Sequence, residues 1–178
     1  MSTYHRLALS ALGKAPVWFA LVMGTAVPAT TALALWVPVS EGTLSPVMML
    51  AIQGLVALLV LASTLPLWRR EASFDGHRLQ VKAAFYTRRS PLAEFRLDQA
   101  QVVNLSLDPT LKPMLKTNGY ALPGFWAGHF RLRDRRKAFC LVTDPTKVLA
   151  LPHSDGRVWL LGLEHPQAVL DILRRGAG

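Results

Sequence analysis

Two consecutive segments near the N-terminus, Ala15–Ser40 and Gly42–Trp68, carry no charged residue, and only Glu41 separates them. They hold 26 and 27 residues. A helix rises about 1.5 Å per residue and the hydrocarbon core of a bilayer is about 30 Å thick, so about 20 apolar residues suffice to cross it. The pattern predicts two membrane-spanning helices, near residues 16–37 and 45–68, joined by a tight turn. After Arg69 the period changes. Leu79, Val81 and Ala83 alternate with Arg78, Gln80 and Lys82, the two-residue repeat of a half-buried strand running on to Phe85, with Asp75-Gly76 as the turn before it. Further strands are predicted at 101–107, 130–133, 138–142, 147–151 and 158–161, with turns at Arg135-Arg136-Lys137 and Ser154-Asp155-Gly156. Residues 108–120, with two prolines and Asn118-Gly119, read as a loop. Pro166 opens a closing helix in which Ala168, Val169, Leu170, Ile172 and Leu173 recur at helical spacing. The chain thus divides into an N-terminal segment (1–14), a helical hairpin (15–68) and a domain (69–178) of antiparallel strands closed by a helix.

Charge gives the hairpin an orientation. Arg6 and Lys14 precede it, Arg69 and Arg70 follow it, and the turn around Glu41 has neither Lys nor Arg. Short basic flanks stay on the cytoplasmic side, which predicts a multi-pass protein of the inner membrane with both termini cytoplasmic. Trp18, Trp36 and Trp68 stand near the ends of the apolar runs, where an indole suits the interface. A cleavable leader ending at Ala32-Leu33-Ala34 is the weaker reading, because the run is long and a second span follows directly. A soluble protein burying such a hairpin would need more core than about 110 further residues supply. Ala20 with Gly24, and Gly54 with Ala57, offer small-residue faces for helix packing, and Pro28 predicts a kink. Gln53 is the one strongly polar side chain well inside a span. Without ionisable groups there, a pump or transporter acting alone is disfavoured.

Chemistry-bearing patterns are sparse in the C-terminal part. From Arg69 onward there are 18 Lys and Arg against 10 Asp and Glu, which places +8 of the net +9 in this part. The candidate contacts to lipid or to a partner are Lys82, Arg88 and Arg89 beside the first hairpin, and Arg131, Arg133, Arg135, Arg136 and Lys137 farther on. Near an anionic leaflet each such residue contributes about 1 kcal/mol of attraction, while a solvated face is the competing explanation for each. The five histidines have no metal-ligand spacing, and Cys140, the single cysteine, sits in an apolar strand as an inert thiol. His153-Ser154-Asp155 is contiguous in a turn, whereas triads assemble from distant segments. No phosphate-cradling glycine loop and no nucleic-acid-reading motif is present. No catalytic, cofactor or metal residue is therefore assigned.

The segment from Gly119 to Leu132, with Leu122-Pro123-Gly124 and then Gly128 at its centre, resembles the signature of a family of bacterial pleckstrin-homology-like (PH-like) domains. The resemblance continues through Lys137–Thr143, Val148–Pro152, Asp155-Gly156 and Leu163–Ala168, covering about residues 72–173. It implies a barrel of about seven antiparallel strands capped by a C-terminal helix, often attached to membrane helices, with no catalytic residues and no cofactor. Gly124 and Gly128 suit a bulge or a close backbone approach in a bent strand. The function expected is a non-enzymatic inner-membrane adaptor that presents its PH-like domain to a protein partner, to itself or to lipid headgroups, with no nucleic-acid partner. The alternative is an accessory or assembly subunit of a larger membrane complex, with the helical hairpin as its interface. A membrane enzyme ranks third.

Overall fold

A computed structural model describes residues 5–176. The expected termini at 1–4 and 177–178 lie outside the described residues. Helix α1 runs Lys14–Ser40 and α2 runs Pro46–Trp68, slightly longer than expected for the first and as expected for the second. Both are long and apolar enough to cross a membrane. Large side chains along them, among them Leu33, Trp36, Leu50 and Leu61, are exposed. The hydroxyls of Thr25, Thr30 and Thr31 donate to the carbonyls of Leu21, Ala26 and Val27 at 3.0, 2.8 and 2.7 Å, so these polar groups are satisfied within the helix. The Ser45 hydroxyl accepts the Met48 N–H at 3.2 Å and Pro46 takes the first helical position, which together start α2. Gly24 lies against Val60, but Gly54 meets nothing, so only one of the two small-residue faces serves contact between these helices.

Residues up to 13 and from 66 on form the second unit. Strands β1 (His5–Arg6), β2 (Arg70–Phe74), β3 (Arg78–Ala83) and β4 (Tyr86–Pro91) make an antiparallel sheet in chain order. A 3-10 turn at Leu92–Glu94 leads on to β5 (Gln101–Val103), β6 (Pro113–Leu122), β7 (Phe125–Leu132), β8 (Lys137–Val142), β9 (Val148–Pro152) and β10 (Val158–Gly162), which form a second sheet in the order β5-β9-β10-β8-β7-β6. Helix α3 (Pro166–Gly176) closes the unit. Two sheets thus replace the single barrel of about seven strands, and they do not close into one. β10 inserts between β9 and β8, antiparallel to the former and parallel to the latter.

Four local expectations are corrected. Residues 113–122 are a strand, not a loop: Pro113 is tolerated because β6 is an edge, and Gly119 does not turn the chain but pairs with Gly128. The strand expected at 101–107 stops at Val103, because the Asn104 side chain accepts the Ser106 N–H at 2.9 Å and turns the chain. Ala84-Phe85, read as strand, is the two-residue connection between paired Ala83 and Tyr86, with Ala84 at φ +55°. The segment before the hairpin is not separate from the domain. β1 pairs with β2, the Ser10 N–H donates to Gly162 O at 3.1 Å, and Thr143 donates its hydroxyl to Ser10 O at 2.8 Å. The helical pair is therefore an insertion in the sequence of the β unit, and a boundary at Arg69 omits part of that unit.

One face of the six-stranded sheet gathers Phe130, Ala138, Cys140, Val142, Val148, Val158 and Leu160 with Leu105 and Leu111 from the following loop. The other face carries Phe139, Leu149, Leu151, Trp159 and Leu161, all buried. Helix α3 packs on β9 and β5, and β3 of the four-stranded sheet approaches β8. Phe95 meets Trp159 edge-on at 5.1 Å between the sheets.

Candidate functional site

The alternation of β7, β8 and β10 lines up a row of cations. Phe130, Ala138 and Val158 point into the first core, so their neighbours Arg131, Lys137 and Arg157 point to the opposite face. Arg131 and Lys137 are directly opposite in the antiparallel ladder, and Val158 is registered with Ala138, which sets Arg157 beside Lys137. Arg88 comes from β4, opposite buried Val81, on the face of the small sheet that turns toward the large one. These four side chains line a cleft of about 290 Å³. Thr117, Asn118 and His129 complete its wall. A register shift in β6 between Lys116 and Asn118 leaves Thr117 as the extra residue of a bulge, and its hydroxyl donates to His129 O at 3.0 Å. Tyr86 packs edge-on to His129 at 5.5 Å and donates its hydroxyl to the Asn118 side chain.

The electrostatics of this cleft are one-sided. Among the described residues, no acid pairs with Arg88, Arg131 or Lys137, and Arg157 shares Asp155 at 3.2 Å. Like charges directly opposite in a ladder are destabilising. His129 is half-buried, and burial, with Arg88 and Arg157 adding to it, holds its imidazole below the usual histidine range. The ring is therefore neutral at pH 7. Such a cleft suits an anion: three guanidinium forks and an ammonium converge, and among the described residues a carboxylate pairs only with that of Arg157.

Of the eight basic residues picked from the sequence, Arg88, Arg131 and Lys137 meet here. Lys82 does not, because it pairs with Glu71 at 2.8 Å. Arg136 binds Asp134 at 2.6 Å in the β7–β8 turn. Arg133 and Arg135 share that turn, exposed, and Arg89 is exposed on the opposite side of β4 from Arg88. Nothing in the local sequence pattern marks Arg157, Thr117 or His129. Arg157 follows a turn signal as an isolated charge, and only the parallel β8–β10 register reveals its neighbour. Leu122 ends β6, Pro123-Gly124 forms the turn to β7 with Gly124 at φ +73°, and Gly128 lies within β7 at φ +109°.

A second polar group ties the sheets together. His153 Nε2 is 2.8 Å from Ser90 Oγ and 3.1 Å from Glu94 Oε2, while its Nδ1 is 3.0 Å from Asp155 Oδ1. Ser90 donates to Glu94 at 2.5 Å. The imidazole stacks on Trp159 and meets Phe95 edge-on. Residues 153–156 are a turn, as the sequence indicates, but the serine that reaches His153 is Ser90, 63 residues away. With Ser90 and His153 both buried, the arrangement resembles a structural clamp joining β4 to β9. No family model, curated protein or solved structure matches this chain.

Proposed function

We propose that the chain is a non-enzymatic membrane adaptor: α1 and α2 cross the inner membrane, and the β unit is displayed on the cytoplasmic side, where its cationic cleft receives an anionic group of a partner or a lipid. The observation that carries this reading is the insertion of the apolar helices between paired strands β1 and β2. Both ends of the hairpin issue from one folded unit, so both must lie on one side of any membrane the helices cross. Arg6, Lys14, Arg69 and Arg70 at those ends favour the cytoplasmic side. Kinship with PH-like domains rests on the strand-then-helix order and the Leu122–Gly128 motif, not on barrel closure. A reporter active only in the cytoplasm should work when fused after Gly178, and one active only outside should work when inserted at Gly42-Thr43. The reverse pattern would overturn the topology.

A second reading, that of a subunit docking through its hairpin, is favoured by Gln53. Its amide nitrogen is buried in the helical unit with no hydrogen-bond partner among the described residues, and such a donor gains from an acceptor on another helix. Stoichiometric copurification of a membrane protein in mild detergent, lost in Gln53→Leu, would favour it over the adaptor.

A further inference from the structure

Three features of the cleft narrow the anion it suits. Its charge is high and concentrated: Arg88, Arg131 and Lys137 have no acid partner among the described residues, and Arg157 shares one with the turn. A single carboxylate would leave most of that charge uncompensated. Its volume, about 290 Å³, lies at the small end of ligand sites, which run from about 300 to 1,000 Å³, so it is sized for a compact group and not for a run of side chains. Its donors are mainly guanidinium forks, which bind tetrahedral oxyanions in bidentate fashion. A phosphomonoester brings about −1.5 to −2 charge at pH 7 and three strong acceptor oxygens. The arrangement also carries a stability cost without a ligand, because Arg131 and Lys137 stand directly opposite each other on adjacent strands. Bringing a dianion between them turns that repulsion into shared attraction.

We propose that the cleft formed by Arg88, Arg131, Lys137 and Arg157 is a binding site for a doubly charged phosphate group, from a phosphomonoester headgroup or a soluble phosphate. This rests on the cleft being the binding face of the adaptor, and it adds the chemical class of the ligand. His129 serves as a reporter in the wall: a bound dianion offsets the neighbouring arginines and raises the ring's affinity for a proton.

The test uses the full-length protein in a neutral detergent and inorganic phosphate as probe, with binding followed by calorimetry and by the ring signals of His129 in NMR. The expected result is saturable binding that moves His129. Arg131→Gln and Lys137→Gln should each weaken it by about tenfold, the size of losing one charge-assisted hydrogen bond. Arg89→Gln and Arg135→Gln, outside the cleft, should change it by less than about twofold. Absence of saturable binding, or equal losses in all four variants, overturns the proposal. Triglutamate is the second probe. If it binds as tightly as phosphate with the same variant pattern, the phosphate class falls and the anion-binding adaptor stands; if neither anion binds, both fall. Nanodiscs of phosphatidylcholine with phosphatidic acid identify the source. A His129 shift induced by the phosphatidic acid itself and lost in Arg131→Gln, with the response to added inorganic phosphate gone, supports the headgroup. An unchanged response supports a soluble ligand.

Discussion

Gly128 and Gly124 share a sequence motif but meet different constraints. A Cβ on Gly128 would come within 2.7 Å of Gly119 Cα and 2.9 Å of Asn118 O, and its φ is +109°. Gly124 has open space around it, and only its φ of +73° in the turn resists a side chain. Gly128→Ala should therefore cost about 2–4 kcal/mol and Gly124→Ala about 1–2 kcal/mol. Denaturant unfolding of the two variants checks the ranking, and equal losses would show that the close approach does not matter. His129 supplies a pH dependence. Its folded pKa lies below the unfolded value of about 6.5, so the folded state binds fewer protons there. The contribution is fully present above about pH 6.5 and is lost as pH falls through the folded value. The thermal midpoint should decline as pH falls below about 6.5, and His129→Gln should flatten that decline.

At the scale of elements, the β7–β8 ladder couples stability to binding. Lys137→Gln removes the like-charge pair with Arg131 and should stabilise the unit by about 0.2–1 kcal/mol while weakening anion binding. An unfolding midpoint that falls would contradict the repulsion. The same ladder shows what a sequence reading misses. The Val158–Leu161 strand is visible in the apolar run, and α3 is visible in its helical repeat and its opening proline. β6 is not, because Pro113 and Asn118-Gly119 are turn signals that an edge position and a cross-strand glycine pair override. Nor is the turn at Ala84-Phe85, which has no glycine or asparagine to announce it.

At the scale of the molecule, the N-terminal segment belongs to the β unit. Leu7 N–H donates to Ala72 O at 2.8 Å, Leu9 bridges to Leu163, and Glu164 N–H donates to Ala8 O at 3.0 Å. A fragment beginning at Glu71 lacks these partners and leaves backbone groups of β2 and of the β10–α3 connection unpaired. It should unfold at a markedly lower temperature than a chain in which residues 5–13 are joined to 69–178 by a short Gly/Ser linker replacing the hairpin. If both fragments melt alike, the N-terminal strand adds nothing to the unit.

The two helical segments are legible in the sequence alone, because a long apolar run makes most of its backbone hydrogen bonds within the helix and needs no distant partner to do so. The basic character of the rest was equally plain. Which of those charges act together was decided only by the tertiary structure. Arg88, Arg131, Lys137 and Arg157 lie up to 69 residues apart and converge through strand register, while Lys82 and Arg136, as conspicuous in the sequence, are neutralised by Glu71 and Asp134. The same holds for β1, a two-residue strand with no periodicity of its own, and for Ser90 and His153. A pairing between distant residues leaves no local pattern; it exists only once the sheets that carry both partners have formed.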